Sequence, residues 1–227
     1  FRVLKSGASD VVGTDVVIWT TTPWTMPGNR AVAYGEEIDY AIVHVEGVAE
    51  GSLLKVGDRL LVALPLLPNF EKDAGIGAHT IKRVLKGAEL AGTIAAHPLR
   101  GRGYEFDVPL LPGDFVTTEA GTGFVHIAPG HGEDDFNLGR AHDLPIPETV
   151  NDDGTFTRHA PGFEGLHVFK AHDAVYAAMR EAGTLAATGR LTHSYPHSWR
   201  SKKPVIFRAT PQWFIAMDGE GEIRKKA

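Results

Sequence analysis

The feature that most constrains this fold is a succession of short β-type runs, each cut off by glycine, proline or aspartate within about a dozen residues. Val11–Thr20 is rich in β-branched residues and carries Trp19. Tyr40–Val45 alternates along YAIVHV, and Leu60–Leu64 is apolar up to Pro65. His79–Leu85 and Gly92–His97 continue the series. Asp114–Thr118 and Gly123–Ile127 flank a turn at Glu119–Gly121, and Asn151-Asp152-Asp153-Gly154 supplies a hairpin signal before Thr155. Strands at this spacing predict a barrel or sandwich, mainly β with peripheral helices.

Helices are fewer. Ala171, Ala174, Val175, Ala178, Met179 and Ala182 recur at helical spacing, which predicts a helix over His172–Ala182 ended by Gly183. A second is expected over Glu133–His142, with Glu133, Asp134 and Asp135 at the positive end of its dipole and Pro145 and Pro147 beyond it. A short helix fits Phe70–Ala74, and the prolines of 65–68 and 109–112 read as loops.

Length and charge then narrow the function. The 227 residues allow one large domain or two small ones, and 43 % hydrophobic content suffices for a core. No apolar run reaches the ~18–20 residues of a membrane span. The chain has no cysteine, so it holds no disulfide, thiol nucleophile or cysteine-ligated zinc. A net charge of −5 argues against a free-standing nucleic-acid binder. Positive charge gathers only late, at Arg190, Arg200, Lys202, Lys203, Arg208, Arg224, Lys225 and Lys226, which suits a phosphate backbone or a solvated face. FRVLKSG lacks a signal-peptide pattern and GEGEIRKKA lacks a closing element, so both ends read as cuts in a longer protein.

Three stretches could carry chemistry. In WTTTPWTMPGNR, Pro23 halts a strand and leaves Thr20, Thr21 and Thr22 at its end. Their hydroxyls can donate and accept to a ribose or an ester carbonyl, although threonines are also ordinary strand residues. In GTGFVHIAPGHGEDDF, a strand brings His126 to a Gly/Pro turn and an acidic helix start. Asp135 at that helix end is expected to keep a low pKa and to offer an ammonium ligand a fixed carboxylate. Asp134 or Asp135 could equally serve as a helix cap. His126, His131, Asp134 and Asp135 are also plausible metal ligands, but the His-x4-His spacing matches no ligand motif with a known mechanism. Gly121-x-Gly123 lacks the third glycine of a dinucleotide fingerprint, because position 126 is His. The third stretch, HSYPHSWRSKKPVIFRATPQWFIAMD, mixes aromatic and basic residues as a nucleic-acid face or a partly buried edge strand would.

Taken together, WTTTPWTMPGNRAV, GTGFVHIAPGHGEDDF and the third stretch resemble, in order and spacing, the editing insertion of the isoleucyl-tRNA synthetases. The resemblance runs from about Val16 to Asp218. The related valyl and leucyl enzymes carry an arginine after two threonines, where this chain has Thr22 before Pro23. The HIGH and KMSKS activation signatures are missing. The resemblance implies a compact β-barrel editing domain over 1–192, with 193–227 returning toward a catalytic core. It implies hydrolysis of valyl-tRNA(Ile) by a positioned water, without metal or covalent intermediate. ATP and Mg would serve only the parent's synthetic site.

The resemblance also assigns roles. Asp135 would hold the valyl α-ammonium, and Thr20, Thr21 and Thr22 would bind the terminal adenosine and place the attacking water. His126 would line the side-chain pocket and exclude isoleucine, Trp24 would wall the ligand, and Thr25, Gly130 and Asp134 would complete the substrate contacts. Partners would be the 3′ end of tRNA(Ile) carrying valine and the parent's catalytic core, in a monomeric fragment of the cytoplasm or mitochondrion. Where the resemblance implies a zinc-binding Cys-x-x-Cys-like pair, this chain reads His197-Ser198-Trp199-Arg200-Ser201. Two other readings stand beside this one: a metal-dependent hydrolase using His126, His131 and Asp135, and a non-catalytic tRNA-binding module.

Overall fold

A computed structural model of the chain describes residues 1–192, 194–218 and 224. His193, Lys225 and Lys226, named above, lie outside the described residues. The strands in chain order are β1 (Val3–Lys5), β2 (Asp15–Val16), β3 (Ala31–Tyr34), β4 (Asp39–Val48), β5 (Arg59–Ala63), β6 (Ile76–Lys86), β7 (Ile94–Ala96), β8 (Asp107–Pro112) and β9 (Phe124–Ile127). The α-helices are α1 (Leu67–Ala74), α2 (Glu133–Ala141) and α3 (His172–Glu181). The architecture is mainly β with few helices, as the sequence pattern predicts.

The strands form two mixed sheets rather than one closed cylinder. One has five strands in the order β1-β7-β8-β3-β9, the other four in the order β2-β5-β4-β6. The period of two along each strand decides where the cores sit. In β4, Tyr40 and Ile42 join Leu61, Ala63 and Leu85 in the main core, which also takes Val32 and Tyr34 from β3. The intervening Ala41, Val43 and Val45 pack with Leu60, Val62, Leu67 and Phe70 under α1. Ala31 and Ala33 face a third, smaller cluster with Val116 and Ile127. β4 is therefore covered on both faces, and β3 on both of its own.

Several expected segments differ. Val11–Thr20 pairs as a strand only at Asp15–Val16, in parallel with β5. A turn at Gly13 (φ 75°) precedes it, and residues beyond Val17 leave the sheet. A two-residue strand cannot carry a sheet around to closure. Asp114–Thr118 is irregular, because the Val116 N–H closes a turn on the Gly113 carbonyl. The proline-bearing segment before it forms β8 instead. Pro109 lacks a donor, but the next residue, Leu110, gives its N–H to Thr93 C=O at 2.9 Å. Pro65 and Pro68 open helical turns rather than loops, since a proline in the first turn removes only a donor that has no partner there. The hairpin signal at 151–154 is realised: Asn151 N–H reaches Thr155 C=O and Val150 bridges Phe156.

Two packing contacts place the chemistry. α3 buries Val175 and Met179 and packs on a six-residue 3-10 helix, Pro23–Gly28. β9 pairs antiparallel with β3, setting His126 opposite Val32.

Candidate active site

The first wall is the segment 20–30. Pro23 fixes the entry to the 3-10 helix, and all six of its residues are buried. Thr20, Thr21 and Thr22 lie in the half-buried link before it, off the end of any strand. The Thr20 hydroxyl accepts from the Thr22 N–H at 3.0 Å, which shapes the link. Arg30 closes the other end: its guanidinium lies 4.3 Å over the Phe106 ring and donates to the carbonyls of Pro27 and Asn29. Burial lowers the Arg30 pKa to about 10. From below, His97 donates from Nε2 to the Met26 carbonyl at 3.0 Å and stacks on Tyr104 at 4.6 Å.

His126 is held at both ring nitrogens. Its Nε2 is 2.8 Å from Thr25 Oγ1 and its Nδ1 is 2.9 Å from Asn29 Nδ2. The Thr25 hydroxyl spends its proton on the Thr22 carbonyl at 2.8 Å, so it accepts from His126 Nε2–H. Asn29 donates to the Ala31 carbonyl and to His126 Nδ1. Asn29 Oδ1 is buried without a hydrogen-bond partner. The pattern assigns a neutral ring with its proton on Nε2. Burial, with His131 nearby, pushes the His126 pKa down to about 3.

The second wall is the turn after β9. Asp135 lies in the first turn of α2, and its Oδ2 accepts from the Ala128 N–H at 2.8 Å. The expectation of a low pKa is corrected here. Burial raises Asp135 from 3.8 to about 6, the Ala128 N–H lowers it and Asp134 raises it further. Desolvation exceeds the pull of the helix end. Asp134 is exposed on the same turn and Gly130 is buried. Gly28 backs onto this turn: a Cβ there would lie 3.0 Å from His131 and 3.6 Å from the Ala128 side chain. His131 meets the Trp24 ring edge-on at 5.1 Å.

The structure thus brings Thr22, Trp24, Thr25, His126 and the Gly130–Asp135 turn onto adjoining segments. The ring partners of His126 are Thr25 and Asn29, not Thr21 or Asp134, and Thr20 reaches the group through Thr22. Sequence reasoning gave no role to Asn29, Thr149 or Phe207. Asn29 sits in the threonine stretch but resembles an ordinary turn residue there, and the other two carry no local signal. Among the described residues, no group of three or more His, Asp or Glu side chains is placed to hold a metal ion. Both ring nitrogens of His126 and of His131 already have partners. His197 bonds locally, 2.6 Å from the Tyr195 carbonyl. The third stretch is mostly exposed, including Trp199 and Trp213. No described helix is long and apolar enough to cross a membrane.

The family model described as "Leucyl-tRNA synthetase, editing domain" matches residues 69–181. An isoleucine–tRNA ligase of Gluconobacter oxydans is 54 % identical across 100 % of this chain and 25 % of its own length. One from Pelagibacter ubique is 47 % identical across 100 % of this chain and 24 % of its own. The chain spans about a quarter of the length of these relatives. The solved editing domain of the cytosolic leucyl-tRNA synthetase of P. knowlesi superposes with a TM-score of 0.55 at 13 % identity, covering 74 % of this chain and 82 % of that one. At that identity the likeness is one of fold.

Proposed function

This chain belongs to the editing-domain family of the aminoacyl-tRNA synthetases, in the isoleucine–tRNA ligase line, and from that premise we propose that it hydrolyses valyl-tRNA(Ile) made in error. The physical need is general. One missing methylene gives an apolar synthetic pocket only about 10–200-fold discrimination, so a second sieve must remove the smaller product.

The observation that carries this reading is the fixed, neutral His126 beside a turn that holds a half-buried carboxylate. A size sieve needs a wall that cannot yield, and a ring bonded at both nitrogens is such a wall. In this reading it admits valine and excludes isoleucine. Asp135 takes the α-ammonium of the ester, whose charge offsets the carboxylate's burial. Thr20–Thr22 hold the terminal ribose and a water, and Trp24 walls the ligand, with Thr25, Gly130 and Asp134 completing the contacts.

Water attacks the ester carbonyl carbon, and the tetrahedral intermediate collapses by breaking the bond to the ribose oxygen. That oxygen leaves with the proton from the water. His126, neutral and bonded at both ring nitrogens, is not free to act as its base, and in this scheme the rate comes from holding water and ester together. The chain uses no cofactor of its own in this scheme; ATP and Mg serve the parent's synthetic site. The parent's catalytic core and the 3′ end of tRNA(Ile) are the partners, and the setting is cytoplasmic.

Asp135→Ala tests the assignment of the ammonium site. Its deacylation of Val-tRNA(Ile) is expected to fall about 100-fold, in line with loss of a charged, buried contact of about 3 kcal/mol. Unchanged hydrolysis removes Asp135 from the site. Retained tRNA binding with no hydrolysis by the unaltered chain supports the non-catalytic binding module instead.

A further inference from the structure

We infer that His131 is a positioning residue that clamps the segment Phe207–Ala209 onto the candidate active site; its effect on catalysis rests on the editing reading above. Three segments meet at its ring. Nδ1 is 3.0 Å from the Phe207 carbonyl, which can only accept, so Nδ1 carries the proton. Nε2 is then the acceptor for the Thr149 hydroxyl at 2.7 Å. The ring stands edge-on to Trp24 at 5.1 Å. Gly28 makes room for it, since a Cβ at 28 would come within 3.0 Å of its Cδ2.

The fastening is double. One residue before His131, the Gly130 carbonyl accepts the Ala209 N–H at 2.8 Å. Arg208, between the two bonded residues, reaches the Val150 carbonyl at 3.3 Å and pairs with Asp152. The late segment is thus tied to the turn that carries Asp135 and, through one ring, to the 3-10 helix that carries Trp24 and Thr25. Because the half-buried ring makes two directional bonds and an edge-on contact with Trp24, it couples a displacement of Phe207–Ala209 to both walls of the site. A small side chain at 131 removes the ring's bonds to Phe207 and Thr149 and its contact with Trp24, and leaves Ala209 held by the Gly130 carbonyl alone.

The test uses the protein that carries this chain, with His131→Ala, His131→Asn and Thr149→Val. His131→Asn keeps a donor near the Nδ1 position, and Thr149→Val removes the Nε2 partner while leaving the ring. Amide hydrogen exchange is read at Ala209, Thr25 and Phe136, and deacylation of Val-tRNA(Ile) alongside, with a thermal melt to establish folding. In His131→Ala all three amides are expected to exchange several-fold faster, and kcat/KM to fall about tenfold. His131→Asn restores part of both, Thr149→Val shows a smaller change of the same kind, and the double variant His131→Ala/Thr149→Val matches His131→Ala alone. Faster exchange confined to Ala209, or all three amides unchanged, overturns the clamp; so does activity equal to the unaltered protein's despite a released Ala209. If His131→Ala does not fold, Thr149→Val decides on the same readings. An unaltered protein that hydrolyses no Val-tRNA(Ile) defeats the editing reading, whereas the exchange pattern still decides the clamp.

Discussion

His126 and Asp135 sit on one strand-and-turn segment, yet burial acts on them in opposite directions. It keeps the imidazole neutral at any pH above about 3, and it makes the carboxylate reluctant to ionise below about 6. A site that needs the Asp135 anion to hold an ammonium must weaken as pH falls through 6. The KM for Val-tRNA(Ile) is expected to rise toward tenfold for each pH unit below that point, measured between pH 5 and 8. The linked stability effect has the opposite sign. A carboxyl whose pKa is raised on folding binds its proton more tightly in the folded state, so it opposes folding as pH climbs from 3.8 through 6. Asp135→Asn should therefore raise the melting temperature above pH 6 and make little difference below pH 4. Asn29→Ala should cost about 1–3 kcal/mol in denaturant unfolding, because it strips His126 Nδ1 and the Ala31 carbonyl of a buried donor. The candidate residues themselves were legible in the sequence, because glycines, prolines and stacked threonines mark them. Their partners were not. Thr25 and Asn29 lie 101 and 97 residues from His126, and no local periodicity reports a bond of that span.

At the scale of elements, period decided what could be read. The stripe over 171–182 and the alternation of Tyr40–Val45 gave α3 and β4 nearly as they stand. Composition misled where β-branched residues serve a link rather than a ladder, as in Val17–Thr22, and where prolines hide a strand, as in β8. The long, central β4 shows why the pattern reads well: each face has its own core, so a one-residue slip is penalised twice. α3 is the support under the 3-10 helix. Met179→Ala should lower unfolding stability by about 2–4 kcal/mol, and a loss under 1 kcal/mol would count against its packing role. Gly123, at φ 77°, begins the approach to β9, and a Cβ there would lie 2.2 Å from that of Ala63. Gly123→Ala combines a left-handed backbone with a backbone-level clash, and little folded protein is expected on expression.

For the molecule as a whole, the sequence set the class and the structure set the arrangement. The mainly β class with few helices stands, and its strands are arranged as two mixed sheets around a shared core. Acidity should test that core. His97 and His126 are both held neutral by burial, with pKa values pushed down from 6.5 to about 3. Below pH 6.5 the unfolded chain takes up protons that these rings refuse, so stability falls at about 1.4 kcal/mol per pH unit for each. Between pH 6 and 4, Asp135 offsets part of that loss. The melting temperature should thus decline from pH 7 to pH 4, gently near pH 7 and more steeply below about pH 6, where both rings are protonated in the unfolded chain. Selection by size at His126 is decided by deacylation of Val-tRNA(Ile) and Ile-tRNA(Ile) under one set of conditions, by the unaltered protein and by His126→Ala. The unaltered protein is expected to hydrolyse the valyl ester alone, and His126→Ala to hydrolyse both esters. Equal hydrolysis of both esters by the unaltered protein, or continued sparing of Ile-tRNA(Ile) by His126→Ala, would contradict it.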